Sequence, residues 1–148
     1  MRYHLKRFTE EEKMSVKIQE YCYSEEYIKD KLDIFLGHVG IVAMEFMEEL
    51  HKHERIVGYG ATAKSSTILG LAGVHASSIE CIYDNTPSKI GKFTPLSHIP
   101  IRDAALFKDD PAGRVVLFPW NHANEIITRE NTIRERRWLV YVPQVRWL

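Results

Sequence analysis

The sequence predicts an α/β fold in which a doubly wound, mostly parallel sheet follows a long N-terminal helix. Three observations carry this. Short apolar runs at 55–59, 79–83, 114–118 and 138–142 alternate with helical patterns, which argues for β-α-β units rather than hairpins. The first run turns at Gly58 and Gly60 directly into a helix start. Before it, apolar residues recur in steps of three and four over 24–54. A sheet of this kind is Rossmann-like, and its crossovers are expected to be right-handed.

At 148 residues, 45% of them hydrophobic, the chain fits one domain with a real core. Twenty basic residues balance twenty acidic ones, so nothing global points to nucleic acid or an anionic membrane. No apolar run reaches the roughly 18 residues of a membrane span. Cys22 and Cys81 sit in dissimilar contexts without histidines at ligand spacing, and His51 and His53 face different ways on a helix; no metal site is expected. Free cysteines and no signal peptide point to a reducing cytoplasm.

In order, residues 1–5 alternate as a short strand, and 6–23 form a charged linker with a Thr9 cap and Glu12 three residues later. Ser24 caps one long helix reaching about residue 53. Its main stripe, Ile28, Leu32, Phe35, Val39, Val42, Phe46 and Leu50, is expected to pack on the sheet. A second stripe, Tyr27, Ile34 and Ile41, would meet another helix, from a partner domain or an identical chain. Gly37 and Gly40 weaken the helix locally. The division is thus a strand and linker at 1–23, a connector helix at 24–54 and a Rossmann-like domain at 55–148.

After the strand at 55–59 come a helix over 63–71, a Gly73 stop and a strand at 79–83. Residues 84–95 form a long turn-rich loop; loops of this length in a compact domain are usually functional. An extended piece follows at 98–101, then a small helix over 104–107 started by Asp103, and a strand at 114–118. The turn Pro119-Trp120-Asn121-His122 leads into a helix to about 131, with Asn121 as its cap. A basic turn at 134–137, the strand at 138–142 and a tail carrying Trp147 against the sheet edge complete the chain.

The strand–turn–helix at 55–71 is the kind of place that binds phosphate. N–H groups at a helix start lack internal partners, and the helix dipole adds partial positive charge. Gly58-x-Gly60-x-x-Ala63 fits the dinucleotide fingerprint, and Asp84 supplies the acid expected at the next strand end. The same letters only approach a P-loop, because Ala63 stands where that motif needs glycine. The bland alternative is a tight β-to-α turn and nothing more. Lys89 and Lys92 lie on the same rim and suit a diphosphate; the alternative is solubilising charge.

Four stretches together resemble one family: 58–65 (Gly-Tyr-Gly-Ala-Thr-Ala-Lys-Ser), 83–92 (Tyr-Asp-Asn-Thr-Pro-Ser-Lys-Ile-Gly-Lys), 98–101 (His-Ile-Pro-Ile) and 120–127 (Trp-Asn-His-Ala-Asn-Glu-Ile-Ile). They are similar to the C-terminal domain of sugar C-methyltransferases, which move a methyl group from S-adenosylmethionine (SAM) to a carbon of a nucleotide-linked deoxysugar. The resemblance covers roughly 25–142, and residues 1–5 look like the last strand of the family's preceding domain. It implies a zinc-binding N-terminal domain, a central SAM domain, a helical connector matching 25–53, and this Rossmann-like domain. Zinc cysteines, SAM site and general base would belong to the missing domains. No cofactor is therefore expected on this chain alone, nor activity without a separate SAM-binding chain, and whether it is an enzyme stays open. Two departures stand out: Leu96-Ser97 replaces the usual Gly-Thr, and Pro119 replaces Ala before Trp-Asn.

Three functions compete. The resemblance implies a nucleotide-sugar site, such as for a dTDP-deoxysugar. There the turn Gly58, Tyr59, Gly60, Ala61 and the helix start near Ser65 accept a phosphate, and Lys64, Lys89 and Lys92 neutralise it. Asp84 or Asn85 accepts a hydroxyl, and His98, Trp120 and Asn121 line the rim, with Trp120 stacking on a base or sugar face. The fingerprint alone allows an NAD(P)-binding oxidoreductase domain. The long helix allows a non-catalytic module that forms a homodimer or docks.

Overall fold

A computed structural model describes residues 24–131 and 135–148. The expected strand at 1–5, the linker to residue 23 with Thr9 and Cys22, and Arg134 of the basic turn lie outside the described residues. The chain divides into two compact units between His38 and Val39, within one helix, α1 (Glu25–His51). In the first unit Ser24 caps α1: its Oγ accepts the Tyr27 N–H at 3.1 Å. Tyr27, Ile28, Leu32, Ile34, Phe35 and Leu36 are exposed there.

In the second unit a six-stranded sheet has the order β3-β2-β1-β4-β5-β6. The strands are β1 (Val57–Tyr59), β2 (Ile82–Asp84), β3 (Ile101–Asp103), β4 (Arg114–Leu117), β5 (Arg137–Val140) and β6 (Arg146–Trp147). All neighbours pair parallel except β5 and β6, which are antiparallel. Helix α2 (Ala63–Leu71) follows β1 and α3 (Ala123–Asn131) follows β4. This is the expected Rossmann-like sheet, with strand order reversing between β1 and β4. Crevices at such a reversal, outside the strands' carboxyl ends, are where ligands bind in open α/β sheets.

Period-two alternation builds a core on each face. Ile56, Ile82, Val116, Phe118, Leu139 and Tyr141 join Phe46 and Leu50 of α1 and Ile68 and Leu69 of α2. Val57, Tyr59, Tyr83, Leu117, Trp138 and Val140 point the other way, to Phe107 and Ile126. Both faces of the parallel sheet are thus covered, as its apolar strands require.

Several expectations change. The main stripe of α1 is buried only near its end, at Phe46 and Leu50 with Val42 half-buried, whereas Ile28, Leu32 and Phe35 are exposed. The helix runs unbroken through Gly37 and Gly40. In the expected extended piece at 98–101, His98 has φ 51°, Pro100 forms an antiparallel bridge with Phe93 and β3 starts at Ile101; the small helix is a 3₁₀ segment, Ala104–Asp109, capped by Asp103. Asn121 is not a cap; it lies inside a 3₁₀ turn, Trp120–His122, that precedes α3. The tail does close the edge: Trp147 of β6 donates its Nε1–H to Glu49 at 2.7 Å.

Two consequences for stability are measurable. Leu96 has φ 64° and is 74% exposed. A branched side chain in that left-handed conformation costs about 1–2 kcal/mol, partly offset when glycine's larger unfolded-state entropy is the alternative. Leu96→Gly should therefore stabilise the protein by about 0.5–1 kcal/mol, read as a Tm rise of about 1–4 °C. The Lys52 ammonium at 2.6 Å and the Trp147 indole hold the Glu49 carboxyl at about 2, below the ordinary 4.5. A depressed folded-state pKa stabilises fully above the unfolded value and is lost as pH falls through the folded one. Urea melts should show this contribution disappearing from about pH 4.5 towards about pH 2, and Glu49→Gln should remove that part of the pH dependence.

Candidate functional site

The turn between β1 and α2 is shaped by its two glycines, but each leaves room for the chain itself. A Cβ on Gly58 would lie 2.7 Å from Phe118 Cε2 and 2.9 Å from Ile82 Cγ1, so this glycine lets strand neighbours pack. Gly60 has φ +84°, and a Cβ there would lie 2.5 Å from Pro119 Cδ. Pro119 thus fills the space that a fingerprint glycine leaves for a ligand. Thr62 caps α2, its Oγ1 accepting the Ser65 N–H at 3.4 Å while the buried Ser65 hydroxyl donates to Thr62 O at 2.6 Å.

Asp84, at the end of β2, is 6% exposed. Its Oδ2 accepts the Ala61 N–H at 2.7 Å and its Oδ1 accepts the Thr86 N–H at 2.8 Å. Lys89 Nζ stands 3.6 Å from the same carboxylate and donates to Ala61 O at 2.7 Å. The loop after β1 and the loop after β2 are thereby fastened to each other through both backbone groups of Ala61. Asn85, next to Asp84, is left exposed on the rim.

Two open clefts flank this fastening. The first, about 370 Å³, is lined by Tyr59, Gly60, Asp84, Asn85 and Lys89 on one side and by Pro119, His122, Glu125 and Arg129 on the other. The second, about 290 Å³, lies between the first turn of α2 (Ala63, Ser65, Ser66) and the loop residues Ser88, Lys92 and Phe93; Ala61 also lines it. Thr62 and Lys89 border both. Most of the sequence-predicted residues therefore meet on one rim, divided between two clefts.

The others are placed differently. Gly58 is buried beneath the turn. Lys64 lines neither cleft; its Nζ lies 5.9 Å from the centre of the Trp120 ring, which is half-buried and packs on both cores. His98 (φ 51°) and Asn121 are exposed and border neither cleft. Tyr59 buries its ring while its hydroxyl donates to Glu130 Oε1 at 2.9 Å and accepts from Arg129 at 3.0 Å. Burial first, and then the Glu130 contact, push that phenol's pKa up.

Sequence reasoning missed His122, Glu125 and Arg129. Glu125 and Arg129, four apart, share a face of α3, His122 lies in the 3₁₀ turn before it, and the spacing of three and four was the available signal. It also missed Phe93, which no motif contains. Gly60→Ala combines positive φ with a clash against a proline ring, and is expected to cost about 2–4 kcal/mol in a denaturant melt.

The family described as C-methyltransferase C-terminal domain matches residues 2–143. The C-methyltransferase NovU of Streptomyces niveus is 36% identical over 97 residues, a match covering 62% of this chain and 22% of NovU. The chain thus corresponds to a small part of that relative. Since the family match runs through nearly the whole sequence and takes in both loops of the rim, this chain belongs to the C-methyltransferase C-terminal domain family.

Proposed function

We propose that this domain binds the nucleoside diphosphate of a nucleotide-linked sugar on behalf of a cytoplasmic C-methyltransferase, and that methyl transfer is carried out by residues outside this chain. The observation that carries the reading is the pair of clefts on the carboxyl rim, joined at Thr62 and Lys89 beside the start of α2. A diphosphate at that junction meets the start of α2, whose dipole favours an anion, on one side and Lys89 and Lys92 on the other. The first cleft, with Asn85, His122, Glu125 and Arg129, offers donors and acceptors suited to sugar hydroxyls. NovU is named a C-methyltransferase, which supports the same reaction class here.

The residues fit an adenosyl or dinucleotide cofactor less well. The acid that would clamp ribose hydroxyls, Asp84, already holds two backbone N–H groups, and the room at both fingerprint glycines is filled by the chain. Among the described residues no group of three or more His, Cys, Asp or Glu side chains is arranged to hold a metal ion. No step through SAM, NAD or zinc is therefore assigned to this chain's residues.

An NMR titration of the labelled chain with thymidine diphosphate, repeated with SAM, tests the reading. Saturable shifts at Ala61–Ser66 and Ser88–Lys92 are expected with the diphosphate only. Lys92→Ala, which changes an exposed side chain, should weaken binding about ten-fold. Absence of shifts with thymidine diphosphate would sink the proposal.

A further inference from the structure

Phe93 stands out in the loop after β2. It is 63% exposed, although the backbone around it is held firmly. Ile101 N–H donates to Lys92 O at 2.8 Å, Gly91 N–H to Ile101 O at 3.0 Å and Thr94 N–H to Ile99 O at 2.9 Å. Phe93 itself pairs with Pro100 in an antiparallel bridge. Beneath it the buried Thr94 and Ser97 hydroxyls share a hydrogen bond of 2.6 Å, and Thr94 Oγ1 accepts the Ile99 N–H at 2.9 Å. A stiff stem thus presents an aromatic ring to solvent.

Phe93 lines the second cleft together with the first turn of α2, Ser66, Ser88 and Lys92. A flat apolar surface, hydroxyls at its edge, and a cation with a helix start nearby complement a ligand that has a planar aromatic end and an anionic tail. At about 290 Å³ this cleft sits at the small end of ligand sites, so it accommodates only part of such a ligand. The remainder continues past Lys89 into the first cleft.

Resting on the diphosphate reading above, we propose that Phe93 is the platform on which the nucleobase stacks, so that the second cleft is the base compartment and the first the sugar compartment. Stacking on an aromatic ring tolerates any base, because every base has a π-face. Phe93 therefore governs affinity for nucleotides as a class, and the Ser66 and Ser88 hydroxyls are the groups placed to read the base edge.

The test is calorimetric titration of the full chain and of Phe93→Ala and Phe93→Tyr, with thymidine diphosphate and with inorganic pyrophosphate. Phe93→Ala should weaken thymidine diphosphate about ten-fold and leave pyrophosphate unchanged, while Phe93→Tyr keeps the original affinity for both. Because the side chain is exposed, the alanine variant should melt within a few degrees of the parent, which checks its fold. Unchanged thymidine diphosphate affinity in Phe93→Ala, or an equal loss for pyrophosphate, overturns the base compartment while the diphosphate reading stands. Binding of neither ligand to the unaltered chain overturns both.

Discussion

The buried carboxylate of Asp84 is the constraint on which the rim depends. Taking a carboxylate out of water costs several kcal/mol unless it is paired and hydrogen-bonded. Here two backbone N–H groups, from Ala61 and Thr86, and the nearby Lys89 ammonium supply the compensation. Charge-assisted bonds of this kind are roughly twice as strong as neutral ones. Because the two N–H groups belong to different loops, the carboxylate fixes one loop relative to the other. The wall between the two clefts, Thr62 and Lys89, is positioned by that fastening.

The fold was legible because short apolar runs alternate with helical patterns, and strands of a parallel sheet covered on both faces are apolar on both sides. Val57 and Tyr59 face one core while Ile56 faces the other, and the pattern repeats at Val115, Val116 and Leu117. Strand ends were less legible. The apolar run at 79–83 starts three residues before the ladder, and the pairing of Ile82 with Gly58 and Ile101 shows where β2 begins. The stripe of α1 read as uniform core because periodicity reports a face and not whether that face is covered. The burial of Phe46 and Leu50 beside the exposure of Phe35 shows the difference.

At the site, sequence located the right rim but misjudged how its residues are used. The spacing of Gly58 and Gly60 is the same whether a ligand or the chain occupies the space they leave, and here Phe118, Ile82 and Pro119 occupy it. Asp84 likewise stands where an acid is expected; its bond to Thr86 N–H, two residues ahead, is a local turn, but its bond to Ala61 N–H on another loop is one that no local motif encodes. Leu96 shows the opposite case. Its backbone holds a positive φ of 64°, which glycine would favour. The conformation is set by the surrounding hydrogen bonds, Ser97 N–H to Pro95 O and His98 N–H to Thr94 O, rather than by the residue that occupies it.

The β1–β4 ladder ends in a way that makes the crevice. Its last bond runs from Phe118 N–H to Tyr59 O at 3.1 Å. In a parallel ladder the next would join Ala61 N–H to Phe118 O. Instead that donor turns to the Asp84 carboxylate at 2.7 Å, while the Tyr141 hydroxyl lies 3.3 Å from Lys64 O and 3.5 Å from that acceptor. One backbone bond has been exchanged for a charge-assisted bond to the end of the neighbouring strand. The strands can separate here with the freed N–H matched, so that donor does not depend on a ligand for a partner.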